Sequence, residues 1–330
     1  MQIFILSFNH PMITERCIRS VLKHTSPSKI SVIHNGSEIK NTLFLENQFP
    51  EINHIKIKSN KGFSGGANIA LTSNRFCDDW ICFLTNDCEL EALPSTPFIP
   101  LIPFIPFIPL PGSPEFNSAE TLFIAPLILF KNSLKVDSFG GYFIPTKAKL
   151  RHQKERTEIS KILNYSDQGE IPYIPGSAFI IHRTLIQEVG LFDETLGTFW
   201  EDVDYSIRAF SKGFTLKADH TFRVRHSGGK STKKNPYYTT YLYQRNRLIV
   251  SWRYCRNFKE KFLLCLTLFQ QWSFTLLKLC VRRDFLRMRL LLKAFIHGWL
   301  TIFLKEWSAT LFQQSGAHLF EKLRKTRTTE

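Results

Sequence analysis

Acids are scarce in this chain of 330 residues: 28 Asp and Glu stand against 43 Lys and Arg, a formal charge of +15. Such a surplus suits an anionic partner, whether nucleic acid, an anionic membrane surface or a phosphorylated substrate. Seven cysteines occur, none in a Cys-x-x-Cys pair, which argues against a zinc ribbon or a disulfide framework and fits reduced cytosolic thiols. Neither a P-loop nor a G-x-G-x-x-G segment is present. The opening run Ile3–Phe8 has no basic stretch before it and is too short for a signal peptide, so it reads as a first strand. Hydrophobic residues make up 43% of the chain, ample for one large core or two.

What is present begins with alternation. Apolar strand patterns at Ile3–Phe8, Ile30–His34, Ile52–Lys58 and Trp80–Leu84 are separated by helical patterns, one from an N-cap at Thr14 to His24 and one over Gly65–Ser73. Strand–helix alternation at this spacing predicts a parallel, doubly wound sheet, whose ligands bind beyond the carboxyl ends of the strands. Further strands are expected at Phe123–Phe130, Ile174–His182 and Thr215–His226, with a hairpin around Gly140-Gly141, a polar basic loop at Lys147–Arg156 and a short helix over Thr184–Val189. Between them, residues 94–114 carry proline at every third position from Pro94 to Pro109, which favours a polyproline II rod. This segment is either a tolerated loop expansion or an apolar docking strip.

Three stretches carry chemistry. Asn60-Lys-Gly-Phe-Ser-Gly-Gly-Ala-Asn68 is a glycine-rich loop entering a helix, a place where backbone can approach a diphosphate. Thr85-Asn-Asp-Cys-Glu89 leaves an apolar strand and presents Asp87, a residue type that holds a hard divalent cation beside substrate phosphates. Glu201-Asp-Val-Asp204, with Arg208 one turn on, opens a helix with three acids. Acids are favourable there because of the helix dipole, so an ordinary capped helix explains them as well as a reactive carboxylate does. His226 closes the last strand and is either a surface side chain or a further ligand.

Read in order, these pieces resemble the family 2 glycosyltransferases of GT-A fold, and among them bacterial surface-polysaccharide enzymes of rhamnosyltransferase-like type. The resemblance rests on Asn9, Ile33–Ser37, Asn60–Asn68, Thr85-Asn-Asp87, Pro175-Gly-Ser-Ala-Phe179, Val189–Glu194, Phe199–Tyr205, Arg208, Gly213, His226 with Ser231, and Arg245-Asn246, and covers residues 1–250. It implies an α/β fold with a doubly wound mixed sheet, flanking helices and a helical C-terminal extension. It further implies a nucleoside diphosphate sugar donor bound by Asn9, Asn35, Asn60, Gly62, Phe63, Gly65, Gly66, Asn68, Asn86 and Gly176. Mg²⁺ or Mn²⁺ would sit on Asp87 and His226. Asp202 would be the catalytic base with Glu201 beside it, and Asp204 with Arg208 would be structural. His226 or Arg225 would neutralise the diphosphate. Two positions depart from the family pattern: His34 stands in place of an Asp that serves base recognition, and Thr85 replaces the first acid of Asp-x-Asp.

The implied reaction is inverting transfer to a saccharide or lipid-linked saccharide hydroxyl in surface-polysaccharide synthesis. A catalytically inactive, carbohydrate-binding or scaffolding relative is the alternative that Thr85 and the proline insertion favour. A nucleotidyltransferase lacks its basic signature in Ser7–Pro11, and no nucleic-acid-binding module is recognisable. Residues 251–330 form a separate basic helical region, with fifteen Lys or Arg against five acids. The window Phe262–Val281 contains Gln270, Gln271, Ser273 and Lys278 and is a poor spanning helix. It reads as an amphipathic helix on an anionic leaflet or as a helix packed on the catalytic domain. The expected location is cytoplasmic, peripheral on the inner face of the membrane.

Overall fold

A computed structural model describes residues 1–73, 78–94, 121–159, 171–228 and 236–304. Most of the proline-rich segment, Ser231 and residues 305–330 lie outside the described residues. The chain divides into two compact units, one of Met1–Phe143, Leu150–Asp193 and Glu201–Ser231, the other of Ile144–Lys149, Glu194–Trp200 and Thr232–Glu330. The helical unit therefore begins well before residue 251 and takes in two short segments from the middle of the chain.

In the first unit, β1 (Gln2–Ser7), β2 (Ile30–Asn35), β3 (Asn53–Ile57) and β4 (Trp80–Thr85) run parallel in the order β3-β2-β1-β4, joined by α1 (Pro11–Val21), α2 (Ile39–Gln48) and α3 (Gly62–Leu71). β1 and β2 are buried along their whole length, the mark of parallel strands covered on both faces. The chain continues through β5 (Cys88–Ala92), β6 (Thr121–Phe130), β7 (Val136–Ser138), β8 (Gly141–Ile144), β9 (Lys149–His152), β10 (Ile171–Tyr173), β11 (Ala178–His182) and β12 (Thr215–His226), with α4 (Arg183–Val189) and α5 (Glu201–Ser211) between the last two. β11 is antiparallel to β4 and β6, β12 is parallel to β6, and β5 pairs antiparallel with β12, so the nine-stranded sheet is mixed rather than purely parallel. At its centre Phe83 of β4 stacks on Phe179 of β11, and Phe123 of β6 meets Phe179 edge-on.

Several local expectations shift. α1 begins at Pro11, after Asn9 and His10 in left-handed backbone, so Thr14 lies inside the helix and bonds Ser7 Oγ at 2.8 Å. The Gly140-Gly141 turn does not make a hairpin: β7 pairs with β6, whereas β8 joins β9 and β10 in a separate three-stranded sheet. A Cβ on Gly141 would lie 2.4 Å from the Arg151 carbonyl oxygen, which explains the glycine there. The basic loop contains β9. Strand β11 starts only at Ala178, because Pro175-Gly-Ser177 interrupts the run from Ile174.

The second unit is built on α6 (Pro236–Tyr254), α7 (Phe258–Val281) and α8 (Phe285–Phe303). Asn257 and Asp284 cap α7 and α8 by accepting the backbone N–H of Glu260 and Arg287. By length and mean hydropathy (1.3), α7 is long and apolar enough to cross a membrane, despite its glutamines, and only 22% of that window is buried. Within this unit Asn246 Nδ2 lies 2.7, 3.0 and 2.8 Å from the carbonyl oxygens of Leu196, Thr198 and Phe199. It thereby holds Phe199 and Trp200, both in left-handed backbone at φ 73° and 71°. Two adjacent non-glycine residues there cost about 1–3 kcal/mol each, so the surrounding bonds must fix them.

Candidate active site

The turn Pro175-Gly-Ser177 is the hinge pin of the site. Gly176 N–H donates to Asp202 Oδ2 at 2.9 Å. One residue on, the Ser177 carbonyl accepts from Thr85 N–H at 2.8 Å and from Cys88 Sγ at 3.3 Å. One short turn thus ties the head of α5 to the end of β4. A Cβ at Gly176 would meet Phe63 Cζ at 2.9 Å and Asp202 Cβ at 3.3 Å, so only glycine lets the start of α3 and the head of α5 close on the turn.

At the β4 end, Asp87 is 8% exposed. Thr85 does not leave it alone: its hydroxyl donates to Asp87 Oδ1 at 2.7 Å, a neutral support where an acid was expected. Asp87 Oδ2 faces His226 Nε2 at 3.4 Å, and His226 Nδ1 bonds Asp137 Oδ2 at 2.9 Å. Pairing of β12 with β5 sets His226 opposite Cys88 and brings this about. Burial alone would lower the His226 pKa, but the two carboxylates outweigh it and raise it to about 9. Ligand atoms of Asp87, Cys88 and His226 all lie within 4.8 Å of one another. The Cys88 thiol is pushed up by burial and then by Asp87, so it stays protonated. With the His226 proton displaced by the cation, the ligand set would be one carboxylate and one imidazole, which leaves room for phosphate oxygens and water and fits Mg²⁺ or Mn²⁺.

At the α5 end, Glu201 and Asp202 differ in environment. Glu201 is 4% exposed, its Oε2 has no hydrogen-bond partner among the described residues, and burial, then the neighbouring Asp202, hold its pKa well above the usual carboxylate range. Asp202 is also raised by burial, but the N–H groups of Gly176 and Val203 oppose this, as does the nearby His152. Of the pair, Asp202 is the one whose charged form the structure supports. Asp204 is fully buried and bonds Arg208 at 2.9 Å, while Arg208 also serves the Val189 and Leu191 carbonyls; this pair locks α5 in place.

The amide side chains assigned to the donor mostly hold the protein's own loops. Asn35 donates to the Gly62 carbonyl at 2.8 Å and accepts from Lys61 N–H, and Asn60 caps Gly62 N–H at 2.8 Å. Asn68 bonds both the N–H and the carbonyl of Phe192, at 2.9 and 3.0 Å. Asn9 accepts from Glu38 N–H and Asn41, and Asn86 donates to Thr14. Gly65 and Gly66 pack α3 tightly: a Cβ on Gly66 would lie 2.4 Å from Leu6 Cδ1. Arg225 is engaged by Glu91 and by the Phe130, Lys131 and Ser133 carbonyls, so it is not a free cation for a diphosphate. His34 is buried against His54, bonded at 2.9 Å, with its pKa lowered to about 4 by burial and then by His54.

Two residues of the site were not foreseen. Asp137 lies in the short β7, and His152 in β9 bonds Ser138 at 2.9 Å and lies near enough to Asp202 to affect its charge. No local pattern marks either; only strand pairing brings them in.

No protein-family profile matches the chain, and no curated protein matches it in sequence. Solved structures do resemble it. GalNAc-T7, crystallised with UDP, GalNAc and Mn²⁺, aligns at a TM-score of 0.52 and 16% identity, over 78% of this chain and 48% of that one. This chain therefore spans about half the length of that structure. The mannosyltransferase PcManGT from Pyrobaculum calidifontis, solved with GDP-Man and Mn²⁺, aligns over 99% of this chain and 82% of that one at 10% identity and a TM-score of 0.45. Residues 1–349 of S. aureus TarS align over 83% of this chain and 72% of that one at 12% identity and a TM-score of 0.43. The fold of this chain is that of the GT-A glycosyltransferases.

Proposed function

We propose that the chain is an inverting glycosyltransferase that moves a hexosyl or deoxyhexosyl group from a nucleoside diphosphate sugar to a saccharide or lipid-linked saccharide hydroxyl. The observation that carries this reading is the Pro175–Ser177 turn, which links a supported carboxylate at Asp202 to the Asp87–His226 pair. A hydroxyl is a weak nucleophile, so a carboxylate within hydrogen-bond reach takes its proton as it attacks the anomeric carbon. Asp202 fills that role. The new C–O bond forms on the face opposite the departing diphosphate, and the anomeric configuration inverts. Charge building on the diphosphate needs a counter-charge. Asp87 and His226 would hold a divalent cation that supplies it, with Thr85 fixing the Asp87 carboxylate. Glu201, kept protonated by burial, donates a hydrogen bond to the sugar or acceptor and does not compete as base.

The wider setting we propose is surface-polysaccharide synthesis at the inner face of the cytoplasmic membrane, with the chain peripheral on an anionic leaflet. The fold likeness and the exposed apolar, basic helices support this setting. A thermal-shift panel of UDP-, dTDP- and GDP-sugars with and without Mn²⁺ tests the donor. Stabilisation by one nucleotide class, absent in Asp87→Ala, is expected. No stabilisation by any of them contradicts the transferase reading and favours an inactive relative.

A further inference from the structure

In the second unit, α7 buries Leu264, Leu268, Trp272 and Leu279 on one side. Its opposite side carries Phe262, Leu266 and Leu277, with Leu277 64% exposed. These recur at helical spacing and form a second apolar stripe, facing away from the protein. α8 repeats the pattern with Phe285, Leu292, Ile296 and Phe303 exposed along one line. Single exposed apolar residues are ordinary, but two adjacent stripes of this length mark an interaction surface. Between the helices lies a cavity of about 490 Å³ lined by Leu268, Phe269, Trp272, Leu291, Phe295 and Trp299, with only Ser273 and Cys265 as polar contributors. The volume falls in the ~300–1,000 Å³ range of ligand pockets. Its lining lacks the few placed polar groups that orient a functionalised ligand, so it suits a plain hydrocarbon chain.

Charge names the source of that chain. Residues 258–304 hold eight Lys or Arg against two acids, and Lys278, Arg282, Arg283 and Arg289 are exposed at and beside the α7–α8 turn. Cations flanking apolar stripes match an anionic leaflet. A spanning orientation conflicts with the middle of α7. There Gln271 accepts from Arg247 and Trp272 Nε1 donates to Gln244 at 3.1 Å, while Arg247 also bonds the Ala148 carbonyl at 2.8 Å. Crossing would carry a guanidinium and its polar partners toward the bilayer centre, where charge is strongly disfavoured.

We propose that α7 and α8 form a lipid-docking element, with their outer stripes lying in the headgroup–acyl boundary of an anionic bilayer and one hydrocarbon chain of a membrane lipid occupying the cavity between them. This sharpens the membrane association proposed above. Its test reads lipid contact rather than sugar transfer, so the two readings fail separately.

The full chain is mixed with vesicles of phosphatidylcholine, with or without phosphatidylglycerol, whose acyl chains carry bromine at mid-chain. The expected result is flotation only with phosphatidylglycerol, together with quenching of Trp272 and Trp299, assigned by difference from Trp272→Phe and Trp299→Phe. Leu266→Glu with Leu277→Glu, both exposed and outside the cavity lining, abolishes flotation. Ser273→Leu, which narrows the cavity, keeps flotation and weakens the quenching. Flotation with both tryptophans unquenched overturns the proposal, because the cavity is then closed by another part of the chain. Failure to float, flotation independent of phosphatidylglycerol, or retention in the membrane through an alkaline carbonate wash overturns it equally.

Discussion

Replacing Asn68 by alanine separates a framework role from a ligand role. Its side chain is 5% exposed and bonds the Phe192 N–H at 2.9 Å and the Phe192 carbonyl at 3.0 Å, pinning α3 to the segment that leads toward α5. Alanine removes both bonds and leaves two backbone groups to find other partners. Each buried polar group left unsatisfied costs about 1–3 kcal/mol, so the two together put the expected loss at about 2–6 kcal/mol. For a unit of this size, 1 kcal/mol moves Tm by roughly 2–4 °C, which gives a fall of about 4–24 °C. Differential scanning fluorimetry measures it, with circular dichroism to confirm the fold. Nucleotide affinity of the folded variant, measured below its transition, should match the wild type. An unchanged Tm together with lost nucleotide binding would refute the reasoning and return Asn68 to the ligand.

Three further outcomes follow from the site. His226, raised from 6.5 to about 9 by Asp137 and Asp87, contributes stability that is complete below about pH 6.5 and disappears as pH rises through about 9, at most ~3 kcal/mol. Urea titrations in chelator across that range should show the loss, reduced in Asp137→Ala; a flat profile contradicts the coupling. Glu201, with its pKa raised by burial, favours the protonated fold, so wild-type stability should drop as pH climbs above the ordinary carboxylate range. Glu201→Gln should lack that drop in thermal scans from pH 4 to 8, and identical slopes would argue against it. Thr85→Val removes the hydroxyl on Asp87 Oδ1 and should weaken Mn²⁺ binding by about 10–100-fold by electron paramagnetic resonance titration, with Tm little altered. Unchanged affinity would show that Thr85 does not orient the carboxylate.

Much of the fold was legible because apolar period and strand–helix alternation are local signals. The four parallel strands and the limits of β12, Thr215–His226, follow from them. The site was legible only in part. Asp87, Asp202, Gly176 and His226 stand in recognisable strings, yet their contacts depend on strand order. Antiparallel insertion of β11 beside β4 brings Ser177 to Thr85, and β12 beside β5 brings His226 to Asp87. Asp137 and His152 escaped notice because each sits on a strand of only three or four residues, and the groups they reach, His226 and Asp202, lie far along the chain. The asparagines misled in a different way. An amide before or after a glycine turn bonds equally well to a nucleotide or to the next loop, and only geometry tells which partner it has.

In the proposed glycosyl transfer, Asp202 takes the acceptor proton. The most direct measurement is nucleoside diphosphate release and sugar transfer with the donor that stabilises the protein, in Mn²⁺, for wild type and Asp202→Asn. General-base removal is expected to cost about 10²–10⁴-fold in turnover. The wild type should transfer sugar and Asp202→Asn should show a loss of that size, with donor binding and Tm preserved. Turnover by Asp202→Asn close to the wild-type rate, in a folded protein that still binds donor, would contradict it.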